Sequence, residues 1–398
     1  MRRLVPVLLA TALLAAACGS DSDGSAPAST DSIADTTSTD TSPTETSDAT
    51  TVPETTPSTT EAATSAVTPA ELAGPGPYAV GVTTRTLPDG VLVEIWYPAD
   101  ESTRGGTDSY ALREFLPEGV AALVPEGIDD TLTYAATREG AAASDGPYPI
   151  VLSSHGAAGH RMVSTRLNSN LASWGMVVAA PDHPSRDLAN VLGGTRDGQP
   201  PAADQLRAVR TYLTTLDDDP LLGGTLDNDR IALGGESAGG GTVAEVALDD
   251  GILGYVSYAS GLRDDVPEVP SLFVAGALDS VVPAETTQAA FEVAPPPSWL
   301  WVIDAAGHNA TTDVCLIGGG VATLPELADQ AGLGQFVDDQ LRVLASDGCR
   351  EPNRPVAEVV PAIDQASVGF YRWVFGVDAE PIGLDESAIT EGVTITSK

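Results

Sequence analysis

Lysine is almost missing from this sequence. Lys398 is the only one in 398 residues, and 19 basic residues face 56 acidic ones, for a formal net charge of −37. An anionic surface of that size repels phosphate backbones and anionic lipid headgroups, which argues against nucleic-acid binding and polybasic docking on membranes. Histidine occurs four times and cysteine three times. There is no H-E-x-x-H pattern, no C-x-x-C and no Cys/His cluster, so no metal site is expected. The glycine-rich turns lack the lysine of a phosphate-binding loop, and no cofactor is expected either. Aromatic residues make up 5% of the chain, yet 42% hydrophobic residues suffice for a substantial core.

One long apolar run is present, Leu4–Ala17, preceded by Arg2 and Arg3 and followed by Cys18. A basic start, an apolar stretch too short for a finished membrane span and small residues before a break describe an export signal. Leu14-Ala15-Ala16-Ala17-Cys18 resembles a bacterial lipobox. That resemblance implies cleavage before Cys18, diacylglycerol on its sulfur and a lipid anchor at the outer face of the bacterial cell membrane. An ordinary secretory signal with an incidental cysteine is the alternative. Residues 18–77 are mostly Ser, Thr, Ala, Pro, Asp and Glu, with no basic residue between Arg3 and Arg85. Such a segment buries too little apolar surface to offset its ordering entropy, so a disordered tether is expected. Export also bears on Cys315 and Cys349, which outside the cytoplasm should pair. A loop of that length is worth roughly 3–4 kcal/mol in chain-entropy terms.

From Tyr78 to the end, residues 78–398 read as one domain, without repeats. Val80–Arg85 and Val91–Tyr97 read as strands around the Pro88-Asp89-Gly90 turn, with Pro98 ending the second. Ala99–Pro147 is weakly patterned and could form part of a substrate cleft. Beyond it, apolar strands (Tyr148–Ser154, Met176–Asp182, Ile231–Gly234, Tyr255–Tyr258, Ser271–Ala275, Trp299–Ile303) alternate with helical stretches (Met162–Trp174, Asp204–Leu216, Thr242–Leu248, Ile363–Phe375). That alternation predicts an α/β fold with a mostly parallel sheet covered by helices on both faces. Trp299 and Trp301 share one strand face and read as core.

Chemistry concentrates at Gly235-Glu236-Ser237-Ala238-Gly239, a G-x-S-x-G pattern between a strand and a helix. A serine in such a turn needs a base and a group to hold that base. His155, His160 and His183 precede it; His308 follows, in a loop after Trp299–Ile303. Asp279, in the turn after Ser271–Ala275, is the candidate acid; Asp264, Asp265 and Asp304 are alternatives. Oxyanion donors would be the backbone N–H groups of Ala238 and Ala157, with His155 shaping the turn.

The segments Val91–Pro98, Pro149–Gly156 with its helix, Gly235–Gly239, Asp279 and His308 resemble the α/β-hydrolase superfamily. Within it, "VLVEIWYP", "PYPIVLSSHG" and "LASWGMVVAAPDHP" look like platelet-activating-factor acetylhydrolase and dienelactone-hydrolase-like esterases. "LFVAGALDSVVP" and "AAGHNA" resemble cutinase-like polyester hydrolases. Glu236–Gly240 is similar to type-B carboxylesterases, without their glycine-rich oxyanion loop. The resemblance implies a sheet of about eight strands and cofactor-free hydrolysis of carboxylic esters through an acyl-enzyme: a small-molecule, lipid or polyester ester as substrate, and a monomeric chain. A non-catalytic surface-binding lipoprotein, or a peptidase or acyltransferase using the same triad, stays open.

Overall fold

The computed structural model describes residues 67–193, 198–262, 265–385 and 392–398. The export signal, Cys18, most of the expected tether and Asp264 lie outside the described residues. Packing begins earlier than Tyr78: Leu72, inside the stretch expected to be tether, is fully buried. A single leucine among polar residues and prolines carries no periodic signal, yet its side chain finds the core.

The first two strands pair as their alternation requires. β1 (Ala79–Thr86) runs antiparallel to β2 (Leu92–Ala99), with Val82 opposite Trp96. β2 continues through Pro98 instead of ending there; so near a strand end a proline forfeits little of the ladder. Ala99–Pro147 then forms β3 (Asp108–Ala111), α1 (Glu118–Ala121), β4 (Thr131–Tyr134) and β5 (Thr137–Arg138). β3 and β4 make a separate two-stranded ribbon.

The alternating part follows as β6 (Tyr148–Ser154), α2 (Thr165–Ser173), β7 (Val177–Pro181), α3 (Leu188–Val191), α4 (Ala202–Leu213), β8 (Leu226–Glu236), α5 (Ala238–Val246), β9 (Ile252–Tyr258) and β10 (Ser271–Gly276). α6 (Ala284–Val293), β11 (Ser298–Ile303), α7 (Leu324–Gln330), α8 (Asp339–Leu344), α9 (Val356–Val374) and β12 (Val393–Ser397) complete it. The main sheet has the order β12-β11-β10-β9-β8-β6-β7-β2-β1-β5. That is ten strands among the described residues, against about eight expected. The difference lies at the edges, where two-residue β5 and C-terminal β12 join. The run from β7 through β6 to β11 is parallel.

Both sheet faces are buried, which is why the strands read as continuous apolar runs. On one face Leu167 and Leu171 of α2 and Ile363 and Phe370 of α9 belong to a core with Trp96, Val178, Ala232 and Val256. On the other, Leu206 and Val209 of α4, Val243 of α5 and Phe291 of α6 share a core with Ile95, Ile150, Leu233 and Phe273. Trp301 is fully buried and Trp299 packs edge-on against Trp373 and Phe370, so both are core. The lone lysine closes one helix: Lys398 Nζ donates to the carbonyls of Phe291 and Glu292 at the end of α6, where a cation offsets the helix dipole. Cys315 and Cys349 form a disulfide across a sequence separation of 34 residues.

Strand order reverses around β6, whose neighbours are β8 and β7. In open parallel sheets the crevice outside the strand carboxyl ends at such a point is where ligands gather. Here β6 ends at Ser154, β8 at Glu236, β10 at Gly276 and β11 at Ile303.

Candidate active site

Ser237 sits between the end of β8 and the first residue of α5, with φ 54° and ψ −124°. A non-glycine residue there is strained by about 1–3 kcal/mol, and it persists only because its surroundings over-determine it. Its N–H is held by the Tyr258 carbonyl at 2.9 Å, and its own carbonyl accepts from Gly240 N–H at 2.9 Å. The flanking glycines are steric necessities. A Cβ on Gly235 would lie 2.2 Å from the Gly239 carbonyl oxygen, and one on Gly239 would lie 2.0 Å from the Ser154 carbonyl oxygen.

The turn after β10 delivers Asp279 and the loop after β11 delivers His308. Asp279 Oδ2 lies 2.8 Å from His308 Nδ1, and both side chains are buried. Asp279 Oδ1 accepts from the N–H groups of Val281 and Val282 at 2.9 and 2.7 Å, which aims the carboxylate. Asp304 and Asp265 are exposed.

His308 Nε2 makes no hydrogen bond in this structure. It faces the Glu236 carboxylate, with Oε1 at 3.3 Å, while Glu236 Oε2 accepts from Gly156 N–H at 3.2 Å. The imidazole thus stands between two carboxylates. Burial works against its protonated form, but the Asp279 hydrogen bond and the Glu236 charge outweigh that and hold the pKa above the ordinary imidazole value. Burial pushes the Glu236 carboxyl up, opposed by the His308 charge. Sequence reasoning assigned Glu236 no role, since an acidic residue in a turn reads as solvated.

Asp347 was also missed. Its Oδ1 accepts from His308 N–H at 2.6 Å, and its Oδ2 from Ser280 N–H at 3.0 Å. Its carbonyl accepts from the Asn309 N–H and side-chain amide. One side chain therefore ties the histidine loop to the acid's turn, two residues before disulfide-bonded Cys349. Nothing local in Ser346-Asp347-Gly348 signals this, because both partners are distant in sequence.

Ala238, as the first residue of α5, presents an N–H with no acceptor inside the helix. Across from it, Gly156-Ala157-Ala158 follows β6, and a Cβ on Gly156 would meet Ser237 Cβ at 2.9 Å. The oxyanion turn and the serine therefore adjoin. Arg186 joins them: its Nη1 donates to the Ala238 carbonyl and Thr242 Oγ1, and its Nη2 to Ser154 Oγ and the His155 carbonyl. Its own carbonyl accepts from Ala158 N–H.

Ser237 and His308 are not hydrogen-bonded to each other; a serine–histidine hydrogen bond lies instead at the end of β6. Ser154 Oγ is 2.8 Å from His183 Nε2, and His183 Nδ1 is 3.0 Å from Gln205 Oε1. In outline this is triad-like, with an amide in the acid's place. His155 Nδ1 lies 2.8 Å from the Gly156 carbonyl, and its Nε2 accepts from His183 N–H. Burial holds His183 well below the ordinary value and His155 down to about 3, so both are neutral. His160, also neutral, stacks on Phe115. As expected for His155, these histidines shape the turn.

Comparison with known proteins bears on the fold. Residues 67–198 match the family model "Platelet-activating factor acetylhydrolase, isoform II". That is less than half of the chain, spanning β1 to the turn carrying Ala157 and beyond but not Ser237, Asp279 or His308. No curated protein matches the sequence. A solved ferulic acid esterase from Streptomyces cinnamoneus superposes with a TM-score of 0.54 at 20% identity, covering 82% of this chain and 99% of that one. The chain has the α/β-hydrolase fold.

Proposed function

We propose that this α/β-hydrolase is an exported serine hydrolase of carboxylic esters, working through an acyl-enzyme. The observation that supports it most is the strained Ser237 at the end of β8 together with a buried His308–Asp279 pair at 2.8 Å whose Nε2 faces Glu236, the residue before that serine. Ser237 Oγ attacks the ester carbonyl carbon as its proton passes to His308 Nε2. Asp279 fixes the tautomer with Nε2 as acceptor and stabilises the imidazolium that forms. The N–H groups of Ala157 and Ala238 receive the oxyanion. Collapse expels the alcohol, protonated by His308, and water then cleaves the acyl-enzyme by the same steps in reverse. Nε2 is without a hydrogen bond and ready to accept one. Catalytic contacts of this kind often close only with substrate bound.

The finer features rest on sequence: export by residues 1–17, lipid attachment at Cys18 and anchoring at the outer face of the cell membrane. The platelet-activating-factor acetylhydrolase match and the ferulic acid esterase likeness favour an ester over an amide substrate. The deciding experiment treats wild type and Ser237→Ala with a fluorophosphonate and with p-nitrophenyl butyrate. Labelling and turnover confined to the wild type are expected; full activity in the variant would overturn the assignment. Ester, amide and transfer products measured side by side separate hydrolase from peptidase and acyltransferase, and a wild type inert to every serine-directed probe favours a binding lipoprotein.

A further inference from the structure

The two stretches least legible in the sequence, Ala99–Pro147 and Leu316–Cys349, face each other across a cleft. Its outer part is lined by Val120, Val124, Leu327, Ala331 and Phe336. The charged side chains in its lining, Arg113 and Asp130, are spent on each other at 2.6 Å. Leu112, Leu188, Leu324, Leu341 and Ala345 line both this cleft and an inner pocket that reaches Ala157, Glu236 and Asn309. The outer cleft and the inner pocket therefore adjoin across a shared wall of these five apolar side chains, and the inner pocket adds the polar groups of Glu236, Asn309 and Thr312.

Phe336, one of the lining residues, is 39% exposed, and Leu123 and Val343, next in sequence to the lining residue Val124 and two residues beyond Leu341, are 53% and 49% exposed. Apolar side chains left open to solvent in a groove mark a binding surface, since burying them is worth about 25 cal/mol per Å². The walls are braced and do not collapse onto each other. Arg113 holds the Asp130 side through its bidentate pair. The opposite wall carries a Thr323–Glu326 capping box, the Arg342–Asp329 pair at 2.7 Å and the Cys315–Cys349 disulfide. Such a preformed apolar cleft offers nothing to the hydroxyls of a sugar or the amides of a peptide, whose burial without partners costs several kcal/mol each.

We propose that this cleft takes the acyl chain of a medium- or long-chain aliphatic ester, so that the enzyme is selective for lipid-like acyl groups. The proposal rests on the serine-hydrolase reading of Ser237. With the carbonyl oxygen at Ala157 and Ala238, the acyl arm enters the inner pocket at Ala157 and extends past Leu112, Leu188 and Leu324 into the adjoining cleft, where it remains in the acyl-enzyme.

The test is a series of p-nitrophenyl esters from acetate to decanoate, kept below their micellar concentrations. It is run on wild type, Ala328→Trp and Ala331→Trp, whose positions line the outer cleft only. In wild type, kcat/KM should rise at least tenfold from acetate to decanoate, since each added methylene is worth up to about fourfold when buried. Both variants should keep acetate hydrolysis within about threefold of wild type while losing at least tenfold on decanoate. An acyl series that peaks at acetate, or tryptophan variants that fold and keep the wild-type profile, would overturn the proposal. So would a flat acyl series with a steep dependence on alcohol length. Displacement of Nile red by 1-decanol from Ser237→Ala, and its loss in Ser237→Ala/Ala331→Trp, reads the cleft without turnover. Displacement by 1-decanol in a protein that neither labels nor hydrolyses acetate would leave the cleft standing and remove the serine-hydrolase reading.

Discussion

Two serine–histidine sets lie at the ends of the neighbouring strands β6 and β8, and they are opposites. Ser154–His183–Gln205 has both imidazole nitrogens of His183 hydrogen-bonded, a deeply buried serine, an amide where an acid would stand and neutral histidines around it. Ser237–His308–Asp279 has a strained, partly exposed serine, a carboxylate on each side of the imidazole and no hydrogen bond yet on Nε2. The first is a neutral, buried histidine bonded at both nitrogens; the second pairs a strained serine with an imidazole held between two carboxylates. Polar groups buried and satisfied rigidify, whereas a base near a carboxylate with an unspent acceptor can take a proton from substrate-bound serine.

The largest way to break this contrast is to delete each serine. Ser237→Ala should lower kcat by roughly 10⁴–10⁶-fold with the fold intact. Ser154→Ala should leave kcat within a few-fold but cost about 1–3 kcal/mol of stability, because His183 and Arg186 lose a buried partner. Denaturant unfolding and ester turnover on both variants check this; a dead, stable Ser154→Ala would transfer the chemistry to the second pair.

Next comes the acid. Asp279→Asn should drop kcat by about 10³–10⁴-fold, since the amide presents the wrong partner to Nδ1 and fixes the wrong tautomer. Single-turnover kinetics with p-nitrophenyl butyrate measure the loss. Smaller again, Asp347→Ala should lower kcat roughly 10–100-fold by letting the histidine loop drift from the acid's turn. Mild reduction of Cys315–Cys349 should act on the same loop and hasten thermal inactivation. Reduced enzyme with unchanged activity and unchanged inactivation rate would separate the disulfide from the site.

The smallest effect is on pH. Activity needs neutral His308, and its pKa is raised, so the acid limb of kcat/KM should lie above the ordinary imidazole value near 6.5. Glu236→Gln removes one carboxylate and should move that limb to lower pH; an unmoved limb would take Glu236 out of contact with the base. Stability has the opposite dependence in the other pair. The folded-state values of His155, His160 and His183 are depressed, so below about pH 6.5 the unfolded chain binds more protons and stability falls as pH falls. His308 and Asp313, the latter pushed up to about 7 by burial, act in the reverse sense and lose stability as pH rises. Thermal unfolding of wild type and Asp313→Asn between pH 5 and 8 should show a steeper loss of stability toward low pH in the variant, because the histidine contribution is no longer opposed by Asp313.

Much of this was legible before any coordinates. Ser237, Asp279 and His308 each follow an apolar run that announces its own strand, and strand ends in a parallel sheet share one edge. The histidine cluster was half legible: His155 was expected to shape its turn, but its bonds to His183 and the Ser154–His183–Gln205 chain were not. The helix α9 was read from Ile363, although it starts at Val356, because Pro361 within it masks the first turns. The tether was read through Pro77, although Leu72 is core. Glu236, Arg186 and Asp347 gave no signal, since their partners lie tens of residues away or more.

Sequence alone thus determined the α/β alternation and the order of serine, acid and histidine, because burial on two faces and strand-end turns leave local patterns. Only the tertiary structure decided which histidine stands between two carboxylates, which serine is held under strain and where the apolar cleft runs. Those outcomes depend on desolvation and on contacts between distant segments, and neither quantity is written in any local stretch of chain.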